Sequence, residues 1–457
     1  MVALDTVKNI VGTSREEAFQ LESEGFGKLG ASEISKNLIH VFYLDERYKK
    51  KTWSDAEPTV NHVKKVGVVG AGVMGGGIAQ LLAKNNIICR IKDLNNQALS
   101  IALKTARDVY KYLLKTRRMK KGQVDAEMSL ISPTTTYDGF KNADVIIEAV
   151  VERMTVKKQV FKELDELVQP STCLFTNTSS LSVTEMAQST NCPDKVCGFH
   201  FFNPVHRMPL LEIIATEKTS EETLATAVAF ARQLGKMVIV VKDKEGFIVN
   251  RILLPYMNEA AYLFEEGIDP KRLDDVVKRF GLPMGPMELA DEVGIDVGYH
   301  VAQILETAYG ERMSVADILK AVHKAGILGR KSGEGFYVHT GKRKTVNSRV
   351  LNMRGNATFT LDDDTTLKRL IYIMINEASR CLEEGVVESA STIDVGMIYG
   401  TGFPPFRGGL LRYADSVGAK HIVADLKEFQ DRFDPHRFEP SQLLLKMADT
   451  NDTFYPS

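Results

Sequence analysis

A glycine-rich turn between a buried strand and a helix constrains this chain more than any other feature. Val66-Gly67-Val68-Val69 reads as a short apolar strand, Gly70-Ala71-Gly72-Val73-Met74-Gly75 follows at once, and Ile78-Ala79-Gln80-Leu81-Leu82-Ala83 opens a helix. This is the G-x-G-x-x-G pattern in strand–turn–helix context, which points to a dinucleotide-binding site. The three glycines serve a tight turn, a close approach of backbone to pyrophosphate, and close packing of helix on strand. Unsatisfied N–H groups and the dipole at the helix start supply the anion site. A second apolar strand, Ile87-Ile88-Cys89-Arg90-Ile91, ends near Asp93, where a carboxylate meets a ribose 2′-hydroxyl and repels a 2′-phosphate. NAD is therefore expected over NADP, with Arg90 and Lys92 read as solvated strand positions.

At 457 residues the chain exceeds one comfortable core, so two or three domains are expected. A formal net charge of −1 gives no support for a nucleic-acid or membrane-surface partner. No apolar run is long enough to span a bilayer, and the N-terminus carries early charges rather than a signal-peptide core. Cys89, Cys173, Cys192, Cys197 and Cys381 show neither a CxxC pair nor matching histidine spacing. They read as reduced thiols in a cytoplasmic or mitochondrial-matrix-like compartment, with no metal site.

Residues 1–60 read as helical and outside the dinucleotide domain. Ser14-Arg15-Glu16-Glu17 is a capping-box pattern, and Ser32 to Asn37 begins a second amphipathic helix. Two such helices must pack on the rest of the chain or on something absent, and exposed apolar faces there favour self-association. Residues 61–245 alternate strand and helix, as a doubly wound parallel sheet does. The further strands are Ala143–Glu148, Thr172–Thr176, Val196–Phe202 and Met237–Val241. Residues 246–345 and 360–457 are helical and repeat one another. Asn258-Glu259-Ala260 and Glu265-Glu266-Gly267 return at the same spacing as Asn376-Glu377-Ala378 and Glu383-Glu384-Gly385; Gly281-Leu282-Pro283 answers to Gly402-Phe403-Pro404. Gly341 to Thr360, polar and carrying Lys342-Arg343-Lys344, reads as the linker between copies. A basic stretch from Lys111 to Lys121 reads either as a helix end capped by Gly122 or as a surface for a phosphate-bearing substrate.

Ligands in such sheets bind beyond the carboxyl ends of strands. His200 ends one strand, before Phe201-Phe202-Asn203-Pro204, and Glu212 follows within Leu210-Leu211-Glu212-Ile213-Ile214. A glutamate amid apolar residues is costly unless paired, and a histidine–glutamate pair makes an oriented base suited to taking a hydroxyl proton as hydride leaves the same carbon. The competing reading has His200 as a satisfied core residue and Glu212 on an exposed edge strand. Asn177-Thr178-Ser179-Ser180-Leu181 follows another strand end and offers polar groups to substrate, although Ser180 or Ser182 also suits a helix N-cap. Gly246 to Arg251 opens the first helical domain, where Asn250 can reach back across the cleft or bond to backbone.

Together these runs resemble the L-3-hydroxyacyl-CoA dehydrogenases of fatty-acid β-oxidation: Gly70 to Gly75, Glu148 to Glu152, Asn177 to Leu181, His200 to Pro204, Glu212, Gly246 to Arg251 and Pro283 to Glu288. The duplicated helical region looks like the multifunctional β-oxidation α-subunit rather than the short enzyme. The resemblance implies a Rossmann-type sheet followed by two duplicated helical domains, with NAD as cofactor and an acyl-CoA thioester as substrate. It implies His200 as general base with Glu212 as carboxylate partner, and Ser179 and Asn250 at the substrate's 3-oxygen and thioester. Gly70, Gly72, Val73, Met74, Gly75, Asp93, Glu152, Lys157 and Asn203 then line the cofactor. Lys368 falls where the repeat puts a counterpart of Asn250, so the second copy is expected to be structural. Only the final helices and linker of that family's enoyl-CoA hydratase domain have counterparts here, so hydratase chemistry is expected to be absent. The thiolase partnership is left open, and a homo-oligomer is possible. The rival readings are a non-catalytic remnant that supports partners and a CoA-independent β-hydroxyacid dehydrogenase.

Overall fold

The computed structural model describes every residue except Lys342, Asn356, Thr358, Phe359 and Ser457. Short apolar strands flanked by helices on both faces bury both sides of a sheet, so their sequences run apolar rather than alternating. Eight of them associate here: β1 (Lys65–Val69), β2 (Ile88–Lys92), β3 (Ile131–Thr134), β4 (Val145–Glu148), β5 (Cys173–Thr176), β6 (Val196–Phe201), β7 (Leu210–Ala215) and β8 (Met237–Lys242). Their spatial order is β3-β2-β1-β4-β5-β6-β7-β8, and every residue of β4, β5 and β6 is buried. Strands β1 to β6 are mutually parallel, β7 runs antiparallel to β6, and β8 runs parallel to β7.

Two of these strands depart from the sequence reading. Strand β3 carries Pro133, which is tolerated because β3 closes one edge of the sheet. Strand β7 lies inside the sheet between β6 and β8, so Glu212 is not on an exposed edge. Residues 111–122 are also rearranged. The helix Asn96–Lys115 is capped by Thr116, and Gly122 sits in the first turn of the next helix, Lys121–Ser129, rather than ending the first one.

The N-terminal segment contains three helices: α1 (Val2–Ile10), α2 (Arg15–Gly30) and α3 (Glu33–Lys50). The expected caps form, Ser14 accepting from Glu17 N and Ser32 from Ser35 N. Helix α3 packs on the second helical repeat, where buried Tyr48 bonds the hydroxyls of Ser391 and Thr392 and Asn37 donates to Phe406 O. Leu4, Val7, Phe19, Phe26 and Phe42 remain exposed on these helices. No helix among the described residues is long and apolar enough to cross a membrane.

Side-chain bonding extends the internal repeat well beyond its three sequence blocks. Asn258 donates to Ser314 O and accepts from Ala316 N; Asn376 does the same with Glu439 O and Ser441 N. Asp274 accepts from Met287 N and the Tyr337 hydroxyl, as Asp394 accepts from Leu411 N and the Tyr455 hydroxyl. Between the copies, the strands Tyr337–Thr340 and Arg343–Val346 pair antiparallel and are followed by a helix, Ser348–Arg354. Lys342 of the basic triplet lies outside the described residues.

Candidate active site

The glycine-rich turn joins β1 to α4 (Val73–Lys84). Gly70 has φ +106°, and a Cβ there would lie 2.3 Å from Ala149 O; a Cβ on Gly75 would lie 1.9 Å from Gly70 O. Those two glycines are required by turn and packing. Gly72 differs: a Cβ there meets nothing within 4 Å. Its bare backbone serves no contact inside the chain and suits the close approach of a pyrophosphate. Gly72 also begins α4 without a side-chain cap, leaving helix N–H groups for an anion. Val73 is exposed and Met74 half-buried beside it. Asp93, just beyond β2, accepts from Ala71 N (2.7 Å) and Leu94 N (2.6 Å), which ties the ribose-side carboxylate to the turn. The flanking cations are engaged elsewhere. Arg90 donates through Nε to Asp138 O, and Lys92, contrary to the solvated position read from the sequence, is buried with its ammonium 4.2 Å from the Tyr137 ring centroid. The turn and Asp93 therefore fit NAD without a phosphate-binding cation.

His200 and Glu212 are direct cross-strand partners in the antiparallel β6–β7 register. That pairing puts the imidazole Nδ1 2.7 Å from Glu212 Oε2, with Glu212 wholly buried and His200 5% exposed. The other carboxylate oxygen, Oε1, accepts from Ile248 N (3.3 Å) and Val249 N (3.1 Å) at the start of α5 (Val249–Glu266). Helix α5 has no side-chain cap, so the buried carboxylate fills its orphan donors and gains from the helix dipole. A carboxylate so occupied accepts the Nδ1 proton, which leaves Nε2 as the imidazole's acceptor. Phe202 and Phe247 flank the ring, at 4.5 and 5.8 Å between centroids.

Asn250 lies one residue beyond the Val249 amide and donates through Nδ2 to Ser179 O at 2.9 Å. Ser179 N in turn donates to Glu152 Oε1 at 3.0 Å, and the Thr178 hydroxyl bonds the same oxygen. Under this loop Lys157, only 1% exposed, bonds both oxygens of Glu148 (2.8 and 3.0 Å) and pairs with Glu152 at 3.2 Å. Burial by itself would raise the pKa of Glu152. The Lys157 charge and the bonds from Thr178 and Ser179 outweigh it and hold the carboxyl below its ordinary range.

Ser179, Asn250, Glu152, Lys157, His200 and Glu212 thus form one connected assembly. Within it Lys157 is sealed beneath the loop, where its ammonium meets carboxylates. Asn203 is exposed in the loop after β6, and Asn177 ties β5 to β6 by accepting from Phe201 N. Ser182, rather than Ser180, caps the short helix Val183–Ala187. Lys368 pairs with Asp364 and Asp425, so it does not repeat the Asn250 contact. Sequence reasoning missed Thr176, which donates to Glu148 Oε2, and Glu148 itself as the acceptor at the centre of this buried network. The available signal was a carboxylate ending a buried strand with a lysine nine residues later. A cavity of about 280 Å³ lined by Lys278, Glu288, His339 and Lys344 lies in the first helical repeat and contains none of the assembly.

Comparison with known proteins bears on the same regions. Residues 65–244 match the family model of the 3-hydroxyacyl-CoA dehydrogenase NAD-binding domain. Residues 246–339 and 366–454 each match the C-terminal domain of that family. The fatty acid oxidation complex subunit alpha of Shewanella loihica is 42% identical over 99% of this chain, and that of Vibrio vulnificus is 38% identical over 99%. The chain spans 64% of the length of each. Among solved structures, 3-hydroxybutyryl-CoA dehydrogenase from Escherichia coli K12 superposes with a TM-score of 0.76 at 26% identity, covering 85% of this chain and 99% of its own. The dehydrogenase part of multifunctional enzyme 1 from C. elegans gives 0.62 at 25% identity, covering 90% and 99%.

Proposed function

Because this chain belongs to the 3-hydroxyacyl-CoA dehydrogenase family, an NAD-dependent family, we propose that it oxidises (S)-3-hydroxyacyl-CoA reversibly to 3-oxoacyl-CoA in fatty-acid oxidation. The observation that carries the reading is the His200 imidazole held at Nδ1 by a buried carboxylate whose other oxygen is filled by two backbone amides. When bound, NAD would supply the hydride acceptor, with the Gly70–Gly75 turn holding its pyrophosphate and Asp93 its adenosine ribose. His200 Nε2 accepts the hydroxyl proton of the substrate as the C3–H bond breaks. Glu212 keeps the imidazole in the accepting tautomer and stabilises the imidazolium formed. In the reverse direction the same nitrogen returns the proton to the 3-oxygen.

Ser179 and Asn250, bonded to each other, receive the 3-oxygen and thioester region. Glu152 orders the Ser179 loop from below, with Lys157 as its counterion, and both would lie with Asn203 along the cofactor. The test is His200→Gln. Turnover should fall by about 10³-fold or more, in line with loss of a general base, while NADH affinity by fluorescence titration stays within twofold. Near-normal turnover would defeat the assignment.

A further inference from the structure

The first turn of α5 does several things at once. Its amides back Glu212, Asn250 tethers the Ser179 loop, and Arg251 follows directly. What clamps this turn lies in the second helical repeat. Arg251 is wholly buried and donates through Nε to Glu377 Oε1 (2.7 Å) and through Nη1 and Nη2 to Glu384 (2.7 and 2.8 Å). Glu377 belongs to α6 (Asp363–Glu383), and Glu384 is its C-terminal cap. The guanidinium carbon lies 4.4 Å from the Tyr309 ring centroid, and the Tyr309 hydroxyl donates to Glu245 O in the segment that enters α5.

The second repeat carries the mirror arrangement. Arg369 is equally buried; it donates through Nε to Glu259 (2.8 Å) and through Nη1 and Nη2 to Glu266 (2.6 and 2.8 Å), with Phe433 under its guanidinium. Each repeat's arginine is thus held by the other repeat's two glutamates. The chemistry flanking the two arginines differs. Asn250, before Arg251, bonds into the site, whereas Lys368, before Arg369, makes surface ion pairs.

We propose that Glu384, together with Glu377, is a positioning element for the dehydrogenase site: acting through Arg251, it fixes the turn that presents the Glu212 amides and Asn250. The second repeat then contributes to catalysis although it has no site of its own. This rests on the reading given under Proposed function. The reciprocal clamp supplies its own control, because Glu384 and Glu266 make the same two-pronged contact and their side chains are 37% and 27% exposed.

Glu384→Gln and Glu266→Gln should lower the melting temperature alike. Only Glu384→Gln should lower kcat, by about tenfold, since misplacing catalytic groups by an ångström costs up to about 10²-fold. NADH affinity and the KM for acetoacetyl-CoA should change by less than about twofold, and Glu384→Asp should recover part of kcat. Glu266→Gln should keep kcat within about twofold of the parent. Hydrogen exchange across residues 246–252 should rise in Glu384→Gln alone. Equal kcat in the two glutamine variants, or equal exchange across 246–252, would overturn the proposal. If the parent chain fails to turn over, the function reading falls; exchange rising selectively in Glu384→Gln still upholds the clamp.

Discussion

Replacing Glu212 by glutamine isolates the group on which the proposed chemistry depends. The carboxylate has no latitude, with Oε1 receiving the Ile248 and Val249 amides and Oε2 receiving His200 Nδ1. A glutamine must turn its oxygen to the two amides, since its NH₂ group facing them would set donor against donor. The NH₂ then faces His200 Nδ1, which must become an acceptor, and the ring proton moves to Nε2, where the substrate proton should go. Losing the buried charge-assisted bond costs about 2–3 kcal/mol. Reversing the tautomer costs about one further hydrogen bond, roughly 1–1.5 kcal/mol. Together these give about 4 kcal/mol, or about 10³-fold in kcat. The assay is NADH oxidation with acetoacetyl-CoA at saturating substrate, accompanied by NADH binding, which should not move because Glu212 touches nothing in the Gly70–Gly75 turn. A kcat within about tenfold of the parent would refute the tautomer argument.

Other consequences follow from single positions. Gly72→Ala should fold normally, since its Cβ enters open space, yet bind NADH about ten- to a hundredfold more weakly through loss of the close pyrophosphate contact, read by fluorescence titration. Gly75→Ala should instead fail to fold, because its Cβ would meet Gly70 O at 1.9 Å; soluble expression and circular dichroism decide this. Asp93→Ala should narrow the ratio of NADH to NADPH turnover by removing the carboxylate that repels a 2′-phosphate; an unchanged ratio would place discrimination elsewhere. Burial pushes the Asp394 carboxyl up from its ordinary value to about 7. The folded state therefore holds a proton there that the unfolded chain has already released. That contribution to stability is complete below about pH 4 and is lost as pH rises through about 7. Asp394→Asn, which does not titrate, should flatten the fall in melting temperature between those limits, and an unaltered slope would contradict the assignment.

Legibility in the sequence followed the range of the interactions. The glycine turn is local: strand, glycines and helix are contiguous, and each glycine's task can be read from its place. His200 and Glu212 were legible as a pair because a glutamate amid apolar residues needs a partner, although the interior, antiparallel placement of β7 that sets them in direct register was not. Helix α1 lay within the stretch read as helical but was not picked out as a separate helix, because it has no side-chain cap; β3 escaped notice because it is four residues long and contains a proline. Gly122 was misread because glycine after a basic helix end resembles a C-cap, whereas the chain turns earlier, at Thr116 and at Arg117 with φ +56°. The repeat showed through at Asn258 and Asn376, but the crossed clamp of Arg251 and Arg369 did not. No local pattern couples an arginine to carboxylates more than a hundred residues away; only the packing of α5 on α6 brings them together.

The most direct test of the dehydrogenase reading is NADH oxidation by the purified chain with acetoacetyl-CoA, set beside NADPH as cofactor and free acetoacetate as substrate. The arrangement of the Gly70–Gly75 turn, Asp93, His200 and Glu212 predicts fast turnover for NADH with the thioester, and little for either control. NADH that binds without turnover, or turnover as fast with free acetoacetate, would contradict it.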